Sequence, residues 1–241
     1  EGIMLAILGT ASRVVERQRD SRKSENVRTI FFGSPEFAVP TLEALAAGDT
    51  FEVALVVTQG VKEPSPVERA AEQLGLPVYK PETLRGAEAR QPLVDAAADI
   101  FVVAAFGLIF RPHTLAIPRL GAINVHPSLL PRYRGASPIM ATIASGDQET
   151  GVSLMLMDAG IDTGPVVSTE RIVVEDDDTT ESLGRRLAEV AAEQARTTGA
   201  RVRRVYRSAL KGYSATLSSD RLAALRADPR VAYLAADRMR W

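Results

Sequence analysis

Short apolar runs alternate with helical patterns through the middle of the chain. The runs are continuous rather than alternating, and they lie at 28–32, 53–57, 77–79, 100–104 and 122–125. Helical spacing of apolar residues follows most of them, at 37–46, 66–74, 92–98 and 139–144. Continuous apolar strands separated by helices are typical of a sheet that is covered on both faces. The pattern therefore predicts an α/β domain with a doubly wound, mostly parallel sheet.

The pattern changes after residue 150. Residues 151–157 alternate, 165–174 have the composition of a strand, and an acidic loop leads to an amphipathic helix at 181–195. From Arg201 to the end there are ten Lys/Arg and only three Asp/Glu, although the whole chain has a net charge of −1. This step in charge indicates a boundary. We expect a catalytic domain over 28–190 and a small segment over 191–241.

The overall composition excludes several classes of protein. The chain of 241 residues is 46% hydrophobic and 24% charged, and it contains no cysteine, so thiolate metal ligands and disulfides are excluded. The apolar run at 3–8 is too short to span a bilayer, and basic residues follow it instead of preceding it. We expect residues 1–27 to be an appendage. We also expect the protein to make no membrane contact and to act in the cytoplasm.

One pair of polar residues ends an apolar strand. Asn124 and His126 are two residues apart, so a strand presents both from the same face. The carboxyl edge of a parallel sheet is where open α/β folds bind their ligands. Two interpretations are open from this pair alone: the histidine merely caps the strand, or the amide and the imidazole act together on a ligand.

The sequence around this pair carries a resemblance. His126-Pro-Ser-Leu-Leu-Pro-Arg-Tyr-Arg-Gly-Ala-Ser-Pro138 resembles the signature loop of the folate-dependent formyltransferases, and its RGASP portion is most similar to the methionyl-tRNA formyltransferase branch. Further blocks match that family in order, at 32–39, 64–67, 106–109 and 151–165. The resemblance implies transfer of a formyl group from 10-formyltetrahydrofolate to an amine, with methionyl-tRNA as the acceptor.

The same resemblance implies the catalytic residues. Asn124 would donate its amide N–H to the formyl oxygen, and His126 would donate similarly or shuttle a proton. Asp162 would orient His126 and take part in the proton transfer. This assignment is chemically coherent, because preorganised donors stabilise the charge that develops on the oxygen and a positioned acid/base group moves the proton.

The resemblance also implies the residues that bind the two substrates. The residues implied to bind the folate are Phe106, Gly107, Leu108, Ser128, Asp158 and Gly160. Those implied to bind the acceptor are Gly33, Ser34, Arg132, Arg134 and Gly135. Simple packing remains an alternative for the 106–109 loop, and Ser128 either holds its loop or contacts the folate. The only other histidine, His113, has no carboxylate at ligand spacing, so no metal site is predicted.

Two departures from the family concern the tRNA. The family carries a longer basic loop after the second strand, whereas residues 58–64 here contain a single lysine. The family's C-terminal β-barrel is not recognisable in residues 199–241. Because contacts of Lys and Arg with phosphates supply most non-specific affinity for nucleic acids, we expect weak and salt-sensitive binding of tRNA.

The C-terminal segment resembles another family. Residues 199–238 resemble the inhibitor propeptide of subtilisin-like proteases, which implies a small α+β, ferredoxin-like module and a subtilisin-like protease as a possible partner. The local pattern predicts strands at 201–208, 213–217 and 231–234 and a helix at 220–227. The strand that ends at Val174 would complete this module. It would pack side chains such as Val205 and Tyr213 against the catalytic domain.

Three functions remain open from the sequence. The first is formyl transfer to methionyl-tRNA. The second is hydrolysis of 10-formyltetrahydrofolate, or transfer to another amine. The third is a protease-inhibiting or chaperoning module on an inactive scaffold.

Overall fold

The computed structural model describes residues 2–7, 26–59, 63–208, 212–215 and 231–237. The chain divides into two compact units. The larger comprises 25–200, and the smaller combines 1–24 with 201–241. Among the described residues, no helix has the length and hydropathy needed to cross a membrane.

Seven of the described strands form the sheet of the larger unit. Its order is β4-β3-β2-β5-β6-β7-β8, with β2 to β6 parallel and β7 and β8 antiparallel. The strands are β2 (Val27–Gly33), β3 (Phe51–Val57), β4 (Val78–Tyr79), β5 (Ile100–Ala104), β6 (Ala122–His126), β7 (Glu149–Leu156) and β8 (Val166–Val173). The predicted doubly wound, mostly parallel sheet is confirmed.

Six helices of the described chain connect these strands or follow them. They are α1 (Val39–Ala47), α2 (Pro66–Gln73), α3 (Ala87–Asp95), α4 (Pro112–Leu115), α5 (Pro138–Ser145) and α6 (Thr180–Ser208), with a 3₁₀ turn at Glu36–Ala38 before α1. Ser65 starts α2 by accepting a hydrogen bond from Glu68 N, and Pro66 occupies the first turn, where its missing N–H costs nothing.

The strand order creates a switch point at the centre of the sheet. From β2 the chain proceeds outward through β3 and β4, then crosses to β5 and β6 on the other side. The loops that leave β2 and β5 therefore diverge, and they open a crevice at the carboxyl ends of these strands. Phe32 at the end of β2 is fully buried and packs edge-on against Phe106 and Phe110, which fixes the loop after β5 to the end of this strand.

The smaller unit contains an antiparallel sheet of three described strands. β1 (Gly2–Ile7) lies at its centre between β9 (Gly212–Ala215) and β10 (Val231–Asp237). The expectation that the strand ending at Val174 completes this module is wrong, because β8 pairs with β7 in the larger sheet. The N-terminal segment supplies the strand instead.

One further secondary-structure prediction is wrong. Residues 201–208 were expected to be a strand, but α6 continues through Ser208. Arginine, a strong helix former, occupies four of these eight positions, and extension of an existing helix avoids the cost of a new nucleus, so the two valines of this segment do not end it. The predicted helix at 220–227 and the predicted packing of Val205 and Tyr213 lie outside what the structure describes.

Candidate active site

Strand β6 presents two polar side chains at its carboxyl end. Asn124 is half-buried and His126 is buried, with only 5% of its side chain exposed. Both face Asp162, which follows β7 in the chain. The Asn124 Nδ2 donates to Asp162 Oδ1 at 3.0 Å, and His126 Nδ1 lies 3.5 Å from Asp162 Oδ2. The structure thus brings together the three residues predicted to be catalytic.

Asp162 is held in an unusual backbone conformation. Its φ is +48°, in the left-handed region that asparagine and aspartate tolerate better than other side chains do. Its Oδ2 also accepts the backbone N–H of Gly135 at 2.8 Å. The carboxylate therefore bridges Asn124 to the loop after β6, and it is 14% exposed.

The two nitrogens of His126 have different partners. Nε2 lies 2.9 Å from the backbone oxygen of Tyr133. Because a carbonyl can only accept, Nε2 must carry the hydrogen of this bond. Nδ1 faces the Asp162 carboxylate at a distance longer than an ordinary hydrogen bond. Nδ1 is therefore the ring nitrogen that faces the carboxylate.

The loop between β6 and α5 is fastened internally. The buried Ser128 hydroxyl donates to Arg132 O at 2.6 Å, so Ser128 holds the loop, which is one of the two predicted alternatives. Ser153 on β7 donates to Ser128 O and accepts from Leu130 N. Gly135 has φ +84°, a conformation that favours glycine, and there it directs its N–H at Asp162.

The loop after β5 shows both packing and an exposed backbone. Phe106 and Leu108 pack on the aromatic core, as the packing alternative expects. Gly107 between them is exposed, and its N–H donates to Gln59 Oε1 at 3.1 Å. A Cβ on Gly107 would approach this Oε1 to 2.6 Å. Gly107 thus leaves its backbone exposed between two partly buried side chains.

The predicted acceptor residues at the end of β2 lie on the same edge. A Cβ on Gly33 would come within 2.8 Å of Ala38 Cβ, so the turn requires glycine. The Ser34 hydroxyl accepts from Gln59 N and from the Thr58 hydroxyl. Two strand spacings separate β2 from β6, so this turn is roughly 10 Å from Asn124.

The turn that precedes Asp162 is organised by a second aspartate. Asp158 Oδ1 accepts from the Thr163 hydroxyl at 2.7 Å and from Gly160 N at 2.9 Å. These two hydrogen bonds hold the pKa of Asp158 below its ordinary value, and the bond from Thr163 has the larger effect. Asp158 and Gly160 are exposed, so the turn lies open to solvent beside the catalytic cluster.

The two arginines of the β6–α5 loop have different surroundings. Both are exposed, but Arg132 donates to Asp147 Oδ1 at 2.9 Å. The positive charge of Arg134 instead makes the smallest contribution to the lowered pKa of Asp158. Within the described residues, no group of three or more His, Asp or Glu side chains is placed to hold a metal ion.

Three residues with structural roles in this site were not found from the sequence. They are Gln59, Asp147 and Ser153. Each bonds to a loop that is far away in the chain, and none stands in a local pattern that predicts such a contact. None of the three is among the site residues that the family resemblance implies.

An open sheet with polar side chains at the carboxyl edge of its central strands defines an α/β protein with a ligand site at the switch point. The family model described as Formyl transferase matches residues 26–197. The chain belongs to this family, as its motifs predicted.

Several curated relatives share this region. The chain is 48% identical over 174 residues to the methionyl-tRNA formyltransferase of Paracoccus denitrificans, with 69% of this chain and 58% of the relative covered. It is 46% identical over 175 residues to that of Methylococcus capsulatus, with 69% and 56% covered. The chain thus spans somewhat more than half the length of these relatives.

Solved structures share the fold. The phosphoribosylglycinamide formyltransferase of Bacillus halodurans has a TM-score of 0.62 and 28% identity, with 73% of this chain and 94% of that chain covered. The enzyme of the same name from Anaplasma phagocytophilum has a TM-score of 0.66 at 22% identity, with 75% and 88% covered. The second likeness supports the fold alone.

A second family model, Peptidase inhibitor I9, matches residues 164–240. The predicted resemblance of the C-terminal segment is thus confirmed. This match overlaps the first over 164–197, which includes β8 and the first part of α6. Within the overlap, β8 belongs to the larger sheet.

Proposed function

We propose that this protein transfers a formyl group from 10-formyltetrahydrofolate to an amine, and that the amine is the amino group of methionyl-tRNA. The observation that carries the proposal is the cluster of Asn124, His126 and Asp162 at the switch point of the sheet. Membership of the formyl transferase family and the names of the curated relatives support it.

The hydrogen-bonding groups of this cluster fit a formyl oxygen and a departing amine nitrogen. An amide NH₂ has two hydrogens, and Asp162 takes one of those on Asn124. The second remains for an oxygen in the crevice. 10-Formyltetrahydrofolate supplies an activated one-carbon unit there, and the exposed backbone at Gly107 and the turn at Asp158 and Gly160 would hold its flat ring.

Asn124 acts on the oxygen. Negative charge develops on the formyl oxygen as the amine attacks the carbon, and a fixed N–H donor stabilises this charge more than it stabilises the neutral carbonyl. Asp162 keeps the amide in place by accepting its other hydrogen, so no reorganisation is needed during the reaction.

His126 and Asp162 move the proton. The C–N bond to the acceptor forms while the bond from the formyl carbon to N10 breaks, and one proton must pass from the acceptor amine to N10. Nε2 is committed to Tyr133 O, so Nδ1 carries this proton, and the adjacent carboxylate stabilises the charged ring. Every atom and charge is then balanced without a metal.

The relatives named methionyl-tRNA formyltransferase support methionyl-tRNA as the acceptor. An acceptor of this kind implies that the protein acts in the cytoplasm. Arg132 and Arg134 are exposed basic residues on either side of Tyr133, whose backbone oxygen contacts His126. Two phosphate contacts of this kind give weak binding with a clear salt dependence. Tight tRNA binding at 200 mM salt would contradict this assignment.

The experiment follows tetrahydrofolate release from 10-formyltetrahydrofolate with and without methionyl-tRNA, for the wild type and for His126→Ala. A transferase releases tetrahydrofolate only with the acceptor, and the release is lost in the variant. Release that does not require the acceptor identifies a hydrolase of the same donor. Equal slow release in both proteins contradicts catalysis by this cluster.

The match to Peptidase inhibitor I9 favours a second candidate for the smaller unit, which is inhibition of a subtilisin-like protease. Its three-stranded antiparallel sheet is compatible with such a module. The test is hydrolysis of a peptide substrate by subtilisin with increasing amounts of the full chain. No inhibition at a tenfold molar excess would remove this candidate.

A further inference from the structure

The backbone of the β6–α5 loop holds two members of the catalytic cluster. Tyr133 O accepts from His126 Nε2, and Gly135 N donates to Asp162 Oδ2. A shift of this loop therefore moves the imidazole and the carboxylate together. The catalytic geometry depends on whatever fixes Tyr133.

Tyr133 needs an anchor because its backbone is strained. Its φ is +54°, which is uncommon for a bulky side chain and costs energy. The anchor is Asp147: the Tyr133 hydroxyl donates to Asp147 Oδ2 at 2.7 Å, and Arg132 donates to Oδ1 at 2.9 Å. The Arg132 guanidinium also lies over the Tyr133 ring. Both oxygens of one carboxylate are thus used to hold two consecutive residues.

Asp147 is itself rigidly placed. It follows the end of α5, where Gly146 has φ +64° and donates to Ile143 O, and Asp147 N donates to Thr142 O. Its side chain is only 14% exposed. Helix α5 begins directly after the β6–α5 loop and ends just before Asp147. The side chain of Asp147 therefore bonds back to the loop that precedes the same helix, at Tyr133.

We propose that Asp147 is a positioning residue for the catalytic histidine. It acts through the side chain of Tyr133, whose carbonyl fixes the hydrogen of His126 on Nε2 and leaves Nδ1 to exchange the proton. The proposal rests on the formyl-transfer function proposed above, and it assigns a role to a residue outside the cluster of Asn124, His126 and Asp162.

Tyr133→Phe is the sharpest variant, because it removes the hydroxyl and leaves the carbonyl that His126 uses. The expected result is a roughly tenfold lower kcat with the KM values for both substrates within about twofold of the wild type, since misplacement by 1 Å costs up to about 100-fold. Asp147→Asn should lower kcat to a similar extent, and for this variant only the KM for the formyl donor is compared, because the change also releases Arg132. The double variant should be no slower than the slower single variant, because both act through one contact.

Two matched controls separate positioning from general destabilisation. Tyr79→Phe removes a hydroxyl that donates to Ala89 O far from the site, and Glu149→Gln breaks an exposed ion pair with Arg171. Both should leave kcat unchanged. If Asp147→Asn fails to fold, Tyr133→Phe carries the test by itself.

A spectroscopic measurement tests the same idea without activity. The chain has two histidines, so the imidazole ¹⁵N signals are assigned by comparison with His113→Gln. In the wild type the His126 Nε2–H signal should be sharp and slow to exchange, and it should broaden or disappear in Tyr133→Phe and Asp147→Asn. An unchanged signal, or an unchanged kcat in both variants, would overturn the positioning role. An inactive wild type would instead reject formyl transfer, and the NMR comparison would still decide how Asp147 affects His126.

Discussion

Replacement of Asp162 by asparagine is the most informative perturbation of the catalytic cluster. Asparagine tolerates the left-handed backbone at φ +48°, whereas alanine there would add strain that has nothing to do with the chemistry. The substitution keeps the shape of the side chain and removes its charge. Any effect therefore reports on the carboxylate itself.

The cost to stability can be worked out from the hydrogen bonds. The two carboxylate oxygens accept from Asn124 Nδ2 and Gly135 N, but an amide has only one oxygen. One donor then faces the new NH₂ group and is left unsatisfied, which costs about 1–3 kcal/mol. For a unit of this size, each kcal/mol lowers the Tm by roughly 2–4 °C.

The cost to catalysis should be much larger. Without the carboxylate beside Nδ1, the charged form of the His126 ring loses its partner, and positioned acid/base groups contribute about 10²–10⁴-fold. We therefore expect kcat to fall by at least about 100-fold, with a change in Tm that is far too small to explain it.

Steady-state tetrahydrofolate release and a thermal melt measure the two effects on the same samples. Asp95→Asn is the matched control, because this exposed aspartate bonds only to Gln91 among its described hydrogen bonds and lies outside the site. It should match the wild type in both assays. If Asp162→Asn keeps more than a tenth of the wild-type kcat, the proton-transfer role of the carboxylate is refuted.

Substitutions at three further positions test other parts of the account. Asn124→Ala should slow turnover by the equivalent of about 2.7–4 kcal/mol with little change in folate affinity, as for loss of an oxyanion donor; a raised KM at constant kcat would instead make it a binding residue. Gln59→Ala should raise the KM for the formyl donor by releasing Gly107, and Gln59→Glu, which keeps the acceptor oxygen, should restore it. Thr163→Val removes the main cause of the lowered pKa of Asp158. A lowered pKa stabilises the folded state above the unfolded-state pKa, so the wild type's advantage in Tm should be present at pH 7 and shrink from about pH 4 downward; an advantage that is constant with pH would contradict it.

The fold and the centre of the site were predictable because their signals are local. Continuous apolar runs predicted the parallel strands of the larger sheet, and the spacing of Asn124 and His126 placed both on one face of β6. Asp162 lies in the connection between β7 and β8, so only the motif resemblance linked it to that pair. Its left-handed backbone and its bond to Gly135 have no counterpart in apolar periodicity.

The remaining features depend on contacts between distant segments. A strand pattern does not say which edge a strand joins, so the sequence predicts β8 in the smaller sheet and does not predict β1 as a strand. Gln59 and Asp147 look like ordinary polar residues in the sequence. Their importance follows only from the loops that folding brings to them, at Gly107 and Tyr133.

The most direct test of the central claim is a single-turnover transfer of labelled formyl. The protein, in excess, is mixed with 10-formyltetrahydrofolate labelled in the formyl carbon and with methionyl-tRNA, and the label is followed into formylmethionine. We predict that label appears in formylmethionine in step with tetrahydrofolate release, and that His126→Ala abolishes both. Label that appears only as free formate, or transfer that persists in His126→Ala, would contradict the proposed function.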